Sequence, residues 1–142
     1  MIKIGKFYID EIKKHGAADY PFECCGILIG ILEEDKSKTV KEILPVSNSR
    51  DEKDKHNRFL ITPDELLKGE LAARRKKFDV IGFYHSHPDH PAAPSEFDRD
   101  NAWPVYSYII VSVTASGAGD FFSWELKNDR SGFSPEHIIE GD

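Results

Sequence analysis

Asp79-Val80-Ile81-Gly82-Phe83-Tyr84-His85-Ser86-His87-Pro88 is a β-branched and aromatic run that ends on two histidines and a proline. Its composition favours a strand, and it is too short for a typical helix. In a strand, His85 and His87 turn to the same face, because side chains alternate with period two. Pro88 has no N–H to continue a ladder, so the strand ends where the second histidine is presented. A proline-rich loop, Asp89-His90-Pro91-Ala92-Ala93, follows. Pro94-Ser95-Glu96-Phe97-Asp98 then reads as a helix start, with Ser95 as N-cap and Asp98 at the third helical position. Folding the loop back brings Asp98 beside the histidines. Two neutral imidazoles and one carboxylate make a three-ligand zinc site that leaves the fourth tetrahedral position to water, which is the catalytic and not the structural pattern. Taken singly, the parts have plainer readings. His-x-His is an ordinary pair of histidines, and Ser95 with Asp98 is a capping pair.

The combined spacing, His-x-His, seven residues, Ser, two residues, Asp, resembles the signature of the JAMM metalloproteases, the catalytically competent MPN-domain family. The resemblance implies Zn2+ held by His85, His87 and Asp98, with Ser95 donating to the forming oxyanion. It extends to Pro21-Phe22-Glu23-Cys24-Cys25-Gly26, where the family carries a glutamate on an early strand before a glycine-containing apolar run. Glu23 would then move the proton, as base and acid in turn. Alone, Glu23 reads as a strand-end carboxylate in solvent. The likeness runs from Glu23 to about Phe122. It implies an α/β domain of three layers, cytidine-deaminase-like in architecture, spanning residues 1–142 as a single domain. The compact form is similar to prokaryotic stand-alone members. That likeness implies a ubiquitin-like sulfur-carrier protein as substrate, cut after its C-terminal Gly-Gly to remove residues or an attached amino acid. An isopeptidase acting on lysine-linked ubiquitin-like conjugates would use the same catalytic residues. An extended Gly-Gly tail could pair with a sheet edge near the cleft.

Around this centre the remaining segments read as scaffold. Residues from about Lys6 to Ala18 fit an amphipathic helix ending near Gly16. Gly26 to Leu32 is a buried-strand pattern, and Thr39 to Val46 makes a hairpin with it. Ser47 to Arg58 is polar and charge-mixed and reads as a mobile loop, in which Asn48, His56 or Arg58 could reach a substrate. Thr62-Pro63-Asp64-Glu65 starts a helix running to about Lys76. Its basic end, Arg74-Arg75-Lys76-Lys77, offsets the helix dipole or docks an acidic partner. Val105 to Thr114 and Asp120 to Leu126 are strands, with a turn at Ala115 to Gly119; the tail packs as a short closing strand or helix. Helices thus alternate with strands around one mixed sheet, with helices on both faces.

Composition narrows the function further. The chain has 142 residues, 39% of them hydrophobic, and acidic residues exceed basic by 25 to 19 for a net charge of −6. One core is enough, and a general nucleic-acid binder is disfavoured. No apolar run reaches membrane-spanning length and the first residues lack a signal-peptide core, so the expectation is a cytoplasmic protein with no membrane partner. Cys24 and Cys25 are adjacent, which is no disulfide framework and fits a reducing compartment. Packing is their default role. No Cys-x-x-Cys is present to complete a deaminase-type zinc site. Whether two copies associate as a homodimer stays open, as do an Fe(II) oxygenase, which also uses two histidines and a carboxylate, and a non-catalytic binding scaffold. His15 and His137 are not expected as ligands; His90, inside the site loop, has a second-shell or substrate role open to it.

Overall fold

The computed structural model describes residues 1–46 and 61–141. Asn48, His56 and Arg58 lie outside the described residues. The chain forms β1 (Ile2–Gly5), α1 (Lys6–Asp19), β2 (Cys25–Leu32), β3 (Lys38–Val46), α2 (Pro63–Arg75), β4 (Asp79–Pro88), α3 (Glu96–Asn101), β5 (Ser107–Thr114), β6 (Gly117–Leu126), β7 (Phe133–Glu136) and β8 (Ile138–Gly141). The strands make one mixed sheet in the order β7-β6-β5-β4-β2-β3-β1-β8. β2 pairs antiparallel with β3 and β4, whereas β4 and β5 run parallel.

The strand alternation expected from the sequence sorts the two faces. On one, Leu28, Val40, Tyr84, Ile109, Val111 and Val113 pack with Ile9 and Ile12 of α1. On the other, Cys25, Ile27 and Ile29 pack with Ala73 of α2. Helices therefore cover both faces, as the pattern predicts. α1 does not end near Gly16 but runs on to Asp19. A Cβ at Gly16 would stand 3.0 Å from Val113 Cγ2, so this glycine serves close approach of helix to sheet and not termination. α2 begins on the expected cap: Thr62 and Glu65 form a complete capping box with Pro63 inside the first turn.

The N-terminus departs from the sequence reading, and the tail takes the strand of the two forms open to it, twice over. Ile2–Gly5 is a strand, and the tail supplies two more, on opposite edges of the sheet. Only His137 separates β7 from β8. Flat, such a sheet would hold these strands about 34 Å apart, so it must curl until its two sides nearly meet. Ion pairs of the buried Lys38 hold the closure: its Nζ lies 2.9 Å from Oε2 of the partly exposed Glu125 and 3.5 Å from Oε2 of the buried Glu136. Ser123 Oγ donates to Glu136 Oε1 at 2.8 Å. α1 fills the hollow, touching β1, β3, β4, β5 and β6. No helix among the described residues is long and apolar enough to cross a membrane.

Candidate metal centre

β4 carries both histidines to its C-terminal end and turns them to one face, with Nε2 atoms 3.0 Å apart. Two facing Nε2 atoms can share at most one proton, so this contact suits a cation between them better than a hydrogen bond alone. The Pro-rich loop returns the chain to α3, whose N-cap is Ser95. Ser95 Oγ accepts from the Asp98 N–H at 3.1 Å, and the Asp98 carboxylate accepts from the Ser95 N–H at 2.8 Å. This capping box fixes Asp98 where its Oδ1 is 3.3 Å from His85 Nε2 and its Oδ2 is 3.1 Å from His87 Nε2. The sequence-predicted ligands are thus brought together. Zinc bonds of about 2.0–2.1 Å in a tetrahedron put donor atoms about 3.3 Å apart, so this donor set fits the ion. His87 Nδ1 stands 2.9 Å from the Pro91 carbonyl, where it donates, leaving Nε2 as the lone-pair nitrogen.

Glu23 is 3% exposed and joins the same cluster, its carboxylate within 4.8 Å of ligand atoms of both histidines. Two carboxylates therefore face the imidazoles, and electrostatics separates their work. Burial pushes Glu23 up to about 8, only partly offset by His87, and the Asp98 charge pushes in the same upward direction. Asp98 pays the same desolvation, yet His85, His87 and the Ser95 N–H hold it far below the usual carboxylate range. His85 is lowered by burial against the pull of Asp98. His87 is raised, burial being outweighed by its bonds to Asp98 and Pro91. Asp98 is accordingly the ionised ligand, and Glu23 the carboxyl that can hold or release a proton near neutrality.

The surroundings are apolar. A groove of about 730 Å³ opens at His85 and Asp98 between Phe83, Phe97, Trp103 and Val105. Trp103 and Val105 are 65% and 66% exposed on its rim. β4 is paired on both sides, so it offers an incoming tail no free backbone edge. His15 is engaged away from the centre, with Tyr84 Oη at 2.7 Å and Asp19 at 3.4 Å. Both cysteines are buried, and burial holds Cys24 up to about 12. The side chains of Ser86 and Asp89 fasten Glu23's segment, through the Cys24 N–H and the Tyr20 hydroxyl respectively, and the sequence reading does not single them out; Ser86 between the histidines is the available signal.

Residues 6–127 match the family described as prokaryotic homologs of the JAB domain. The chain is 35% identical over 105 residues to a desampylase of Haloferax volcanii, covering 73% of this chain and 72% of that protein. It is 30% identical over 111 residues to a probable TtuB-protein conjugate cleaving protease of Thermus thermophilus, covering 78% and 69% respectively. A solution structure of a Desulfitobacterium hafniense protein superposes with a TM-score of 0.86 at 30% identity, covering 100% of this chain and 94% of that one. With its family match spanning most of the sequence and its fold shared, the chain belongs to the prokaryotic homologs of the JAB domain, the JAMM type that its histidine, serine and aspartate spacing resembles.

Proposed function

We propose that this protein, acting through a single domain of residues 1–142, is a zinc-dependent peptidase that hydrolyses the amide bond following the C-terminal Gly-Gly of a ubiquitin-like protein. The observation that carries the reading is the convergence of His85 Nε2, His87 Nε2 and the Asp98 carboxylate beside the buried Glu23. Bound there, zinc supplies a Lewis acid that polarises the scissile carbonyl and makes water nucleophilic at neutral pH. Glu23 takes the proton of the attacking water and delivers it to the leaving amine, a task its carboxyl suits by standing beside the histidine ligand atoms. Accepting from the Asp98 N–H occupies a lone pair of Ser95 Oγ and leaves its hydroxyl proton to donate to the developing oxyanion. The apolar groove at His85 receives the substrate tail and excludes water from the reacting bond.

The bond cleaved has two forms. One joins the Gly-Gly carbonyl to a C-terminal extension or attached amino acid of a sulfur-carrier protein; the other joins it to a lysine of a conjugated protein. The names of the Haloferax and Thermus relatives favour the second. Intact mass separates them: the zinc-loaded protein is incubated with a carrier extended beyond Gly-Gly and, separately, with a lysine-linked conjugate. Release of the carrier ending in Gly-Gly, abolished by a chelator and by Glu23→Gln, is the expected result. A zinc-loaded protein that leaves both substrates intact sinks the assignment.

A further inference from the structure

Glu23 sits in the connection between α1 and β2, residues 20–24, a short segment that would be free to shift if it were not fastened. It is fastened twice, both times to the end of β4 that carries His87. The β2–β4 ladder begins at the pair Cys25 and His85. One step further out the Ser86 N–H donates to the Cys24 carbonyl at 3.2 Å, but the return bond is not made to the Ser86 carbonyl. The Cys24 N–H donates to Ser86 Oγ instead, at 2.8 Å. In a regular antiparallel pair both bonds run between backbones. Substituting a hydroxyl lets the chain leave the ladder at Cys24 while keeping its buried N–H satisfied, and the residue released is Glu23. Ser86 is 0% exposed and its side chain lies on the α1 face, opposite the histidines, so it does not meet substrate or metal.

The second fastening lies at the other end of the segment. Tyr20 Oη lies 3.0 and 2.9 Å from the two carboxylate oxygens of Asp89 and donates to them. Asp89 follows Pro88 with φ +59°, a left-handed conformation that aspartate tolerates, and its N–H is tied to the Val113 carbonyl at 2.7 Å. Asp89 is therefore anchored to β5, and through Tyr20 it holds the start of the Glu23 segment. The two points bracket Glu23 as Ser86 and Asp89 bracket His87.

We propose that Ser86 and the Tyr20–Asp89 contact are positioning residues that fix the Glu23 carboxyl relative to the His87 side of the centre. This rests on the reading of Glu23 as the proton carrier. A carboxyl displaced by an ångström loses on the order of 100-fold in rate even when the reacting centre is intact. The test compares Ser86→Ala, Tyr20→Phe, Glu23→Gln and the Ser86→Ala/Glu23→Gln double variant, all zinc-loaded, on the ubiquitin-like substrate that the parent cleaves. Ser86→Ala should lower kcat on the order of 10- to 100-fold and Tyr20→Phe a few-fold, with KM and zinc content unchanged. The double variant should be no slower than Glu23→Gln alone, because a residue acting through Glu23 has nothing left to position. Losses that multiply in the double variant, lost zinc, or parent kcat in both Ser86→Ala and Tyr20→Phe beside an inactive Glu23→Gln would overturn the latch. A Glu23→Gln protein as active as the parent would instead overturn the underlying role of Glu23, and the latch with it. Should Ser86→Ala fail to fold, Tyr20→Phe decides alone, since its contact is on the surface.

Discussion

His87 Nε2 and Asp98 Oδ2 lie 3.1 Å apart across a separation of eleven residues, because the loop between them starts at Pro88 and ends on the Ser95 cap. Without a cation, Asp98 favours a proton on His87 Nε2, raising the imidazole's pKa while its own is strongly lowered. Zinc must displace the proton. Binding should therefore release protons and weaken as pH falls through the raised pKa of His87. Calorimetry in buffers of different ionisation enthalpy reads both effects. His85→Ala, His87→Ala and Asp98→Ala should each weaken zinc by more than the roughly 10- to 100-fold that follows loss of an outer partner.

Glu23 should make the zinc-free protein less stable as pH rises. Its folded pKa of about 8 stands above the ordinary glutamate value of 4.5, so between those limits the folded state holds the extra proton and stability falls. The contribution is whole below the lower value and lost above the upper. Urea unfolding of metal-free protein should show Glu23→Gln more stable than the parent at pH 8, by about a few kcal/mol, and nearly equal to it at pH 4. A gap that does not change with pH would show that the carboxyl is not held neutral.

Ser95 combines a cap with a proposed oxyanion donor, and substitutions separate the two. Ser95→Ala should cost about 1 kcal/mol of stability through the lost cap and on the order of 100-fold in kcat through the lost donor. Ser95→Asp keeps a capping oxygen but no hydroxyl proton, so it should keep stability and lose the rate. Thermal melts beside steady-state kinetics decide; an active Ser95→Asp would confine Ser95 to holding Asp98.

Lys38→Met should destabilise the fold by on the order of 3 kcal/mol, because Glu136, whose side chain is fully buried, loses its lysine partner. Lys38→Met/Glu136→Leu should recover most of that loss. Denaturant titration of the three variants checks it, and a double variant as unstable as Lys38→Met would place the effect in packing instead.

Neither cysteine should react with iodoacetamide at pH 8 while the protein is folded. Both are 0% exposed, and Cys24 is held up to about 12 by burial. Mass spectrometry before and after addition of urea tests this: labelling of the native chain would contradict the packing.

The sheet faces, the caps of α2 and α3 and the histidine pair were legible because each rests on a local rule: period-two alternation, a capping residue before an apolar run, a proline that ends a ladder. Asp98 could be placed beside the histidines because Ser95 announced where α3 begins. What escaped notice depends on contacts between distant segments. Ile2–Gly5 is too short to signal a strand, and it pairs with β3 and β8 from elsewhere in the chain. Gly16 looked like a helix end because its real constraint, Val113, lies 97 positions further along. Ser86 carries no local signal of its role, because its partner is a backbone N–H that no side-chain pattern reveals.

The single residue between β7 and β8 has a consequence for life in a crowded solution. An open sheet has two long flanks of unanswered amide groups, and these invite other chains to add strands. Here each flank is a strand of four residues, and the turn through His137 draws the flanks together at one place. An intruding strand finds too little backbone at either side to build a register. Residues 133–141 thus act as a clasp, and a chain cut before Phe133 should self-associate through the bared backbone of β6 and β1.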